Sequence, residues 1–434
     1  MSTSVLSLAV ERKVTTRLII PFLLLIVLNS VDRVNVSFAA LRMNADIGLT
    51  AATYGFGVSL FFVAYICFQV PSLWLLNRYG MRRWVFAVVL CWGAVATGMA
   101  MIQDTTAFYV LRLALGVAEA GFAPGVVLCC TRWMPRRFRA GAISLTMMAI
   151  PISVIIGGPL SGWLMEQSNP LGIAGWRWLF LIEGAPTVMM ALASLWIFVD
   201  TPAQATWLSQ EEKQWLSKEL QREAQMAPSD GCVSKSQLLG SGRIWACALA
   251  WLSLLAGAYG LIYWLPLIIR ELSSGSDLRV GVLSALPWIG VASGMLVNAR
   301  HSDRTQERYW HVIVPSLVTA IALALAAMAG PGWMAMGWLM ISGFGLGAAQ
   351  GTFWAIPTTF LAGGAAVAGI ALINMIGGFG GVVGPAMIGW VKQTTGSFAL
   401  PVYAMAAMLI IGALLVFLIR PGVAKVADDA SLPH

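Results

Sequence analysis

The sequence predicts an all-α membrane protein, with twelve transmembrane helices in two pseudo-symmetric six-helix bundles. Three observations predict it. The 434 residues are 59% hydrophobic and 11% charged, against about 45–50% apolar and about 25% charged in a soluble domain. Twelve apolar runs reach the roughly 20 residues that cross a bilayer. Features of the first half also recur at matching places in the second. A soluble enzyme, a nucleic-acid binder and a disordered chain are excluded by the composition alone, because too little polar surface is available to face water.

The runs of the first half fall at approximately 17–39, 54–76, 83–102, 105–130, 141–165 and 176–199. Those of the second half fall at approximately 244–269, 279–298, 311–330, 333–356, 366–391 and 398–420. The run from Leu18 is too long for the apolar core of a signal peptide and contains Asp32-Arg33, so it is expected to be retained as the first span. The longest hydrophilic stretch, 200–243, divides the chain into an N-terminal bundle (1–199) and a C-terminal bundle (244–434). Within it, Ser209-Gln-Glu-Glu212 has the pattern of a capping box. An amphipathic surface helix should follow from Lys213 to Gln225, with Trp215, Leu216 and Leu220 among its apolar positions.

The net charge of +8 invites a nucleic-acid reading, but its distribution points to topology. Twenty lysines and arginines fall on one side, among them Arg78, Arg82, Arg83, Arg132, Lys213, Arg243, Arg304 and Arg420. The opposite side has five: Arg42, Arg177, Arg270, Arg279 and Lys392. The positive-inside rule then places both termini in the cytoplasm. Of the six cysteines (Cys67, Cys91, Cys129, Cys130, Cys232, Cys247), none has metal-ligand spacing, and free buried thiols are expected. His301, His311 and His434 lie outside the apolar spans, so neither a metal site nor a cofactor is expected.

The internal echo has particular residues. Asn77-Arg-Tyr-Gly-Met-Arg-Arg83 follows span two, and Ser302-Asp-Arg-Thr-Gln-Glu-Arg308 follows span eight. Gly157-Gly-Pro-Leu-Ser-Gly-Trp163 in span five is answered by Gly380-Gly-Val-Val-Gly-Pro385 and Gly389-Trp390 in span eleven. Duplicated six-span halves are the architecture of transporters that rock two bundles around a central site.

These motifs give the chain a resemblance to the major facilitator superfamily over its whole length, and more narrowly to the anion:cation symporter family of bacterial organic-acid permeases. It rests on Asp32-Arg33-Val-Asn35, Asn77-Arg-x-Gly-x-Arg-Arg83 and Arg112 through Glu119-Ala-Gly-Phe-x-Pro124. It rests also on Gly175-Trp-Arg-Trp-Leu-Phe-Leu-Ile-Glu-Gly184, His301-Ser-Asp-Arg-Thr305, Trp310-His311 and Ala371-Leu-Ile-Asn374. Two positions depart from the pattern: Asn77 replaces an acid, and Ala299 replaces a glycine. The first weakens a charge relay in that loop as the gate of the N-terminal half. The resemblance implies cytoplasmic gating motifs at Asn77, Arg78, Gly80, Arg82 and Arg83 and at Asp303 and Arg304. It also implies substrate-cavity positions at Tyr65 in span two and Asn374 in span eleven. Gln350 and Trp354 in span ten and Tyr263 in span seven are further candidates for that cavity.

Four charged residues inside spans carry the functional expectation: Asp32, Arg33, Arg112 and Glu119. A charge at mid-bilayer costs at least about 2.5–3.5 kcal/mol on insertion scales, so none should face lipid. Arg112 and Glu119 are two turns apart on one helical face, about 10 Å along the axis. Arg33 and Arg112 fall at similar depth, slightly outside the midplane, with Glu119 nearer the cytoplasm. Two arginines facing one cavity repel each other unless an anion or an acid neutralises them. The bland alternative is a structural ion-pair network, and for Glu183, nearer the end of span six and close in sequence to Arg177, that reading is preferred.

The sequence thus predicts an inner-membrane secondary transporter, a monomer, whose partners are a small carboxylate, protons and the lipid bilayer. No G-x-x-x-x-G-K loop is present, so nucleotide hydrolysis is not expected to drive it. Arg33 should hold the substrate carboxylate with Arg112 as the second cation, and Asp32 and Glu119 should carry protons. The resemblance extends to permeases for tartrate-like hydroxy acids and for aromatic acids such as hydroxyphenylacetate, phthalate and pyridine carboxylates. An aromatic or hydroxylated carboxylate is expected, with sugar acids as the alternative substrate and anion exchange as the alternative mechanism. A non-transporting sensor is disfavoured by the two complete halves.

Overall fold

The structure is a computed structural model that describes residues 3–167, 171–225, 239–273, 275–361 and 363–420. Asn169, Cys232, Lys235, Lys425 and His434 lie outside the described residues, as do the side chains of Arg136, Arg137 and Arg139. Every regular element among the described residues is helical. A bilayer interior offers no water to backbone N–H and C=O groups, and a helix satisfies them within its own segment.

The first helix, α1 (Thr3–Val14), runs through a single π turn into α2 (Ile20–Asp46). Then come α3 (Ala51–Tyr79), α4 (Met81–Gly98), α5 (Thr105–Glu119), α6 (Phe122–Trp133), α7 (Arg136–Glu166) and α8 (Gly175–Ile197). A surface helix, α9 (Gln210–Gln225), precedes the second half. That half comprises α10 (Gly242–Leu272), α11 (Asp277–Thr305), α12 (Trp310–Met328), α13 (Trp333–Phe353), α14 (Gly363–Gly378), α15 (Gly380–Thr395) and α16 (Ala399–Leu418).

Eleven helical stretches among the described residues are long and apolar enough to cross a membrane. The 31-residue α7 stands where the fifth span is expected. Span four is not the continuous helix expected. It breaks after Glu119, because Gly121 adopts φ 78°, in the left-handed region, before Phe122 opens α6. A Cβ at Gly121 would also strike the Ser72 side chain.

The chain forms two compact units. One comprises Met1–Asn35, Val63–Val154 and Ser168–Ala227; the other comprises Val36–Phe62, Ile155–Gln167 and Pro228–His434. In the first unit α4 packs along α8 and against α5. Its core includes Trp92, Trp176, Phe108 and Phe122. In the second, α13 packs between α11 and α12, while α10 is flanked by α14, α15 and α16. Cys67 and Cys91 correct the expectation of buried thiols: both are exposed on the helix surface, whereas Cys129, Cys130 and Cys247 are buried. A thiol is apolar enough to face lipid, so its position within a span does not force it inward.

Candidate functional site

The charged residues converge in the first unit. Arg33 and Asn29 lie one turn apart on α2, and Glu119 is the last residue of α5. Arg33 Nε and Nη2 each lie 3.0 Å from Glu119 Oε2. Asn29 Nδ2 donates to the same oxygen at 2.8 Å. Glu119 is fully buried, and its Oε1 has no hydrogen-bond partner among the described residues. The break at Gly121 therefore ends α5 at the acid itself, so that Arg33 meets a helix C-terminus, the end whose dipole favours a cation. Arg112 is fully buried two turns earlier on α5, within electrostatic reach of the same carboxylate. Arg33 also lies over the Tyr65 ring, 5.0 Å from its centre to the guanidinium carbon.

Asp32, adjacent to Arg33, has different partners because neighbours on a helix point about 100° apart. Its Oδ2 accepts from Trp92 Nε1 on α4 at 2.8 Å and from Thr187 Oγ1 on α8 at 3.2 Å. Its Oδ1 is buried without a partner among the described residues. Asn29, Trp92 and Thr187 were missed by sequence reasoning. Asn29 was the legible one, since its i, i+4 spacing to Arg33 puts both on one helix face. Glu183 is buried on α8, and Arg177 on the same helix donates to the Ala100 carbonyl at 2.5 Å.

The candidates on spans seven, ten and eleven belong to the second unit. Tyr263 is buried among Phe62 and Tyr259, with ring centroids 5.9 and 6.5 Å away. Trp354 follows α13 and meets Trp251 edge-on at 5.1 Å. Gln350 is half-buried on α13, and Asn374 is exposed on α14.

Asn77–Arg83 is packed around a carboxylate from elsewhere in the chain. Arg132 donates to Asn77 Oδ1, and Asp200 brings an acid to the same loop. Asp200 Oδ1 accepts from the backbone N of Arg82 at 2.8 Å and lies against Gly80, which opens α4. This places an acid at a helix N-terminus, where the dipole favours it. Arg78 lies over the rings of Trp74 and Tyr79, and the Arg82 and Arg83 side chains are exposed.

In the second motif Asp303 accepts from Arg308 Nη1 at 2.6 Å, while Arg304 is exposed. His301 Nδ1 and His311 Nε2 are 2.7 Å apart, and His311 Nδ1 lies 3.0 Å from Glu307 Oε2. Partial burial raises the Glu307 pKa, but the backbone N–H of Trp310 and the contacts to His311 outweigh it and hold the carboxyl below its usual range.

Comparison with known proteins follows the same lines. The family described as Major Facilitator Superfamily matches residues 22–385. A protein of Agrobacterium vitis named "Putative tartrate transporter" is 45% identical over 408 residues, covering 93% of this chain and 93% of its own. A "Quinolone resistance transporter" of Acinetobacter baumannii is 38% identical over 410 residues, 94% of each chain. The crystal structure of a bacterial homologue of the human lysosomal transporter Spinster, at 17% identity, superimposes with a TM-score of 0.78 over 93% of this chain and 96% of its own. The chain belongs to the major facilitator superfamily, a family of membrane transporters and not of enzymes.

Proposed function

We propose that the protein is a proton-coupled symporter that imports a small organic-acid anion, an aromatic or hydroxylated carboxylate, across the bacterial inner membrane. Segments 1–199 and 244–434 serve as its two moving bundles, with 200–243 as a cytoplasmic linker. The observation that carries the reading is the grip of the Arg33 fork on buried Glu119. A guanidinium that holds a carboxylate through two nitrogens is shaped to hold another one. Glu119 and a substrate carboxylate therefore compete for Arg33. Protonation removes the charge of Glu119, frees the fork and favours the anion, and the anion in turn favours proton uptake at Glu119 by linkage. Arg112 supplies the second positive charge, and Tyr65, Asn374, Gln350, Trp354 and Tyr263 complete the binding set. Asp32, held apart by Trp92 and Thr187, is the second proton carrier.

The name of the Agrobacterium vitis relative supports a carboxylate of this class, tartrate being a hydroxylated dicarboxylate. The test is uptake by proteoliposomes of labelled tartrate, hydroxyphenylacetate, phthalate, pyridine carboxylates and sugar acids, with and without an imposed pH gradient. Accumulation of one carboxylate only when the outside is acid is the expected result. Equal uptake without the gradient, sustained by counter-substrate inside, would make the protein an anion exchanger. No uptake of any carboxylate would sink the reading.

A further inference from the structure

At one end of the molecule the second unit contains pieces of the N-terminal spans: the end of α2, the start of α3 and the end of α7. That end carries Arg42, Arg270 and Asp277 and is the outer face in the proposed orientation. The inner parts of the same three helices belong to the first unit. Within the second unit, contacts between these pieces and the later helices are polar and specific. Tyr54 donates to the Tyr263 carbonyl at 3.0 Å, and Ser59 to the Val382 carbonyl at 2.7 Å. The α7 and α11 backbones approach so closely that a Cβ at Gly281 would strike the Gly158 carbonyl. Glu166, ending α7, accepts from the backbone N of Leu278 at 3.0 Å, one of the orphan donors of the α11 N-terminus. That bond leads the causes holding the Glu166 carboxyl below its usual range, with smaller help from Ser276, Asp277 and the Arg42 charge against slight burial.

The centre of this cluster is Asp277, the first residue of α11, with only 2% of its side chain exposed. Two arginines hold it from opposite halves of the chain. Arg42 Nη2 on α2 lies 2.5 Å from Oδ2, and Arg270 Nη2 at the end of α10 holds Oδ1. Arg270 is anchored beside it through the Gly275 carbonyl at 3.1 Å. Asp46 at the end of α2, Arg279 on α11 and the Lys392–Glu271 pair are further charges at this end.

We infer that Asp277, shared between Arg42 and Arg270, together with Glu166 on the Leu278 N–H, is the latch that closes the outer face and opens once in each transport cycle. The two arginines have opposite parts in it. Arg42 is the bond that breaks. Arg270 travels with Asp277, so that opening never leaves the acid without a partner. Removing one member of a buried pair is costly because the other charge is orphaned, and Arg270 removes that cost from the opening step. The inference rests on the proposed orientation but on no particular substrate.

The test needs no substrate. Ser59, 3% exposed, is replaced by cysteine in a full-length background whose native cysteines are replaced, and a membrane-impermeant thiosulfonate is added from outside. Arg42→Gln and Glu166→Gln should label about fivefold faster than the parent. Arg42→Lys, which keeps the charge, should label near the parent rate. Arg270→Gln should label several-fold slower, since opening would then strand Asp277. A merely structural role would move Arg42→Gln and Arg270→Gln in the same direction. That outcome, or unchanged rates in both, overturns the latch. Labelling that responds only to reagent inside overturns its assignment to the outer face. A failure to transport any carboxylate leaves these rates as they are, so the two readings fail separately.

Discussion

Glu119 Oε2 receives three donors, two from Arg33 and one from Asn29, while Oε1 receives none among the described residues. The free oxygen is where a proton can bind without displacing a donor. Glu119→Gln mimics the neutral state permanently. The variant is expected to bind and exchange substrate in counterflow yet fail to accumulate it under an imposed pH gradient. Normal uphill uptake would take Glu119 out of the coupling and leave Asp32. In the same liposomes Arg33→Lys should lose binding by at least about tenfold with folding near normal, because an ammonium cannot reproduce the two-nitrogen grip. Unchanged affinity would assign the carboxylate to Arg112 or to no arginine.

At the scale of elements, α9 shows how a linker helix is tied down. Ser209 and Glu212 cap each other's backbone N–H, at 3.2 and 2.7 Å, and Lys13 on α1 donates to both Glu212 oxygens at 2.8 Å. Burial pushes the Glu212 carboxyl up, but Lys13 and the Ser209 bonds prevail and hold it below its usual value. A lowered value in the docked state means that docking gains from ionisation above the ordinary glutamate pKa of about 4.3. That gain is lost as pH falls through the lowered value. The distance between spin labels at Leu8 and Lys218 should therefore be constant at neutral pH and lengthen as the pH falls through the lowered value of Glu212. Glu212→Gln should show the longer distance at every pH. A pH-independent short distance in that variant would remove the Lys13–Glu212 pair as the tie.

For the whole molecule, the distribution of basic residues and the division into units make separate statements. The proposed orientation rests on the twenty-to-five asymmetry of lysine and arginine. A reporter fused within 200–243 should read cytoplasmic and one near Asn169 outside. Reversed signals would invert the orientation and with it the assignment of the Asp277 latch. The units instead record which helix ends are packed together: the ends of α2, α3 and α7 with the later helices. The proposed latch requires those ends to part.

The spans, the duplicated halves and the four intramembrane charges were legible in the sequence because each depends on a local property. A bilayer of fixed thickness demands a run of apolar residues of fixed length, and any ionisable group within such a run is costly enough to be noticed. Which acid holds Arg33 was not legible. Asp32 is its neighbour in the chain, but Glu119, 86 residues away, takes its guanidinium, because helix rotation and contact are set by packing. Trp92 and Thr187 gave no signal for the same reason, since tryptophan and threonine are ordinary in membrane helices. The break in span four was not read from the sequence: Gly121 in the left-handed region ends α5 at Glu119, and the Ser72 side chain beside it leaves no room for a Cβ. The Arg42–Asp277–Arg270 cluster lay in loops and helix ends, where sequence carries orientation but no partnership. Only the folded chain brings together residues 42, 166 and 277, because ion pairs across helices depend on distances that no local pattern encodes.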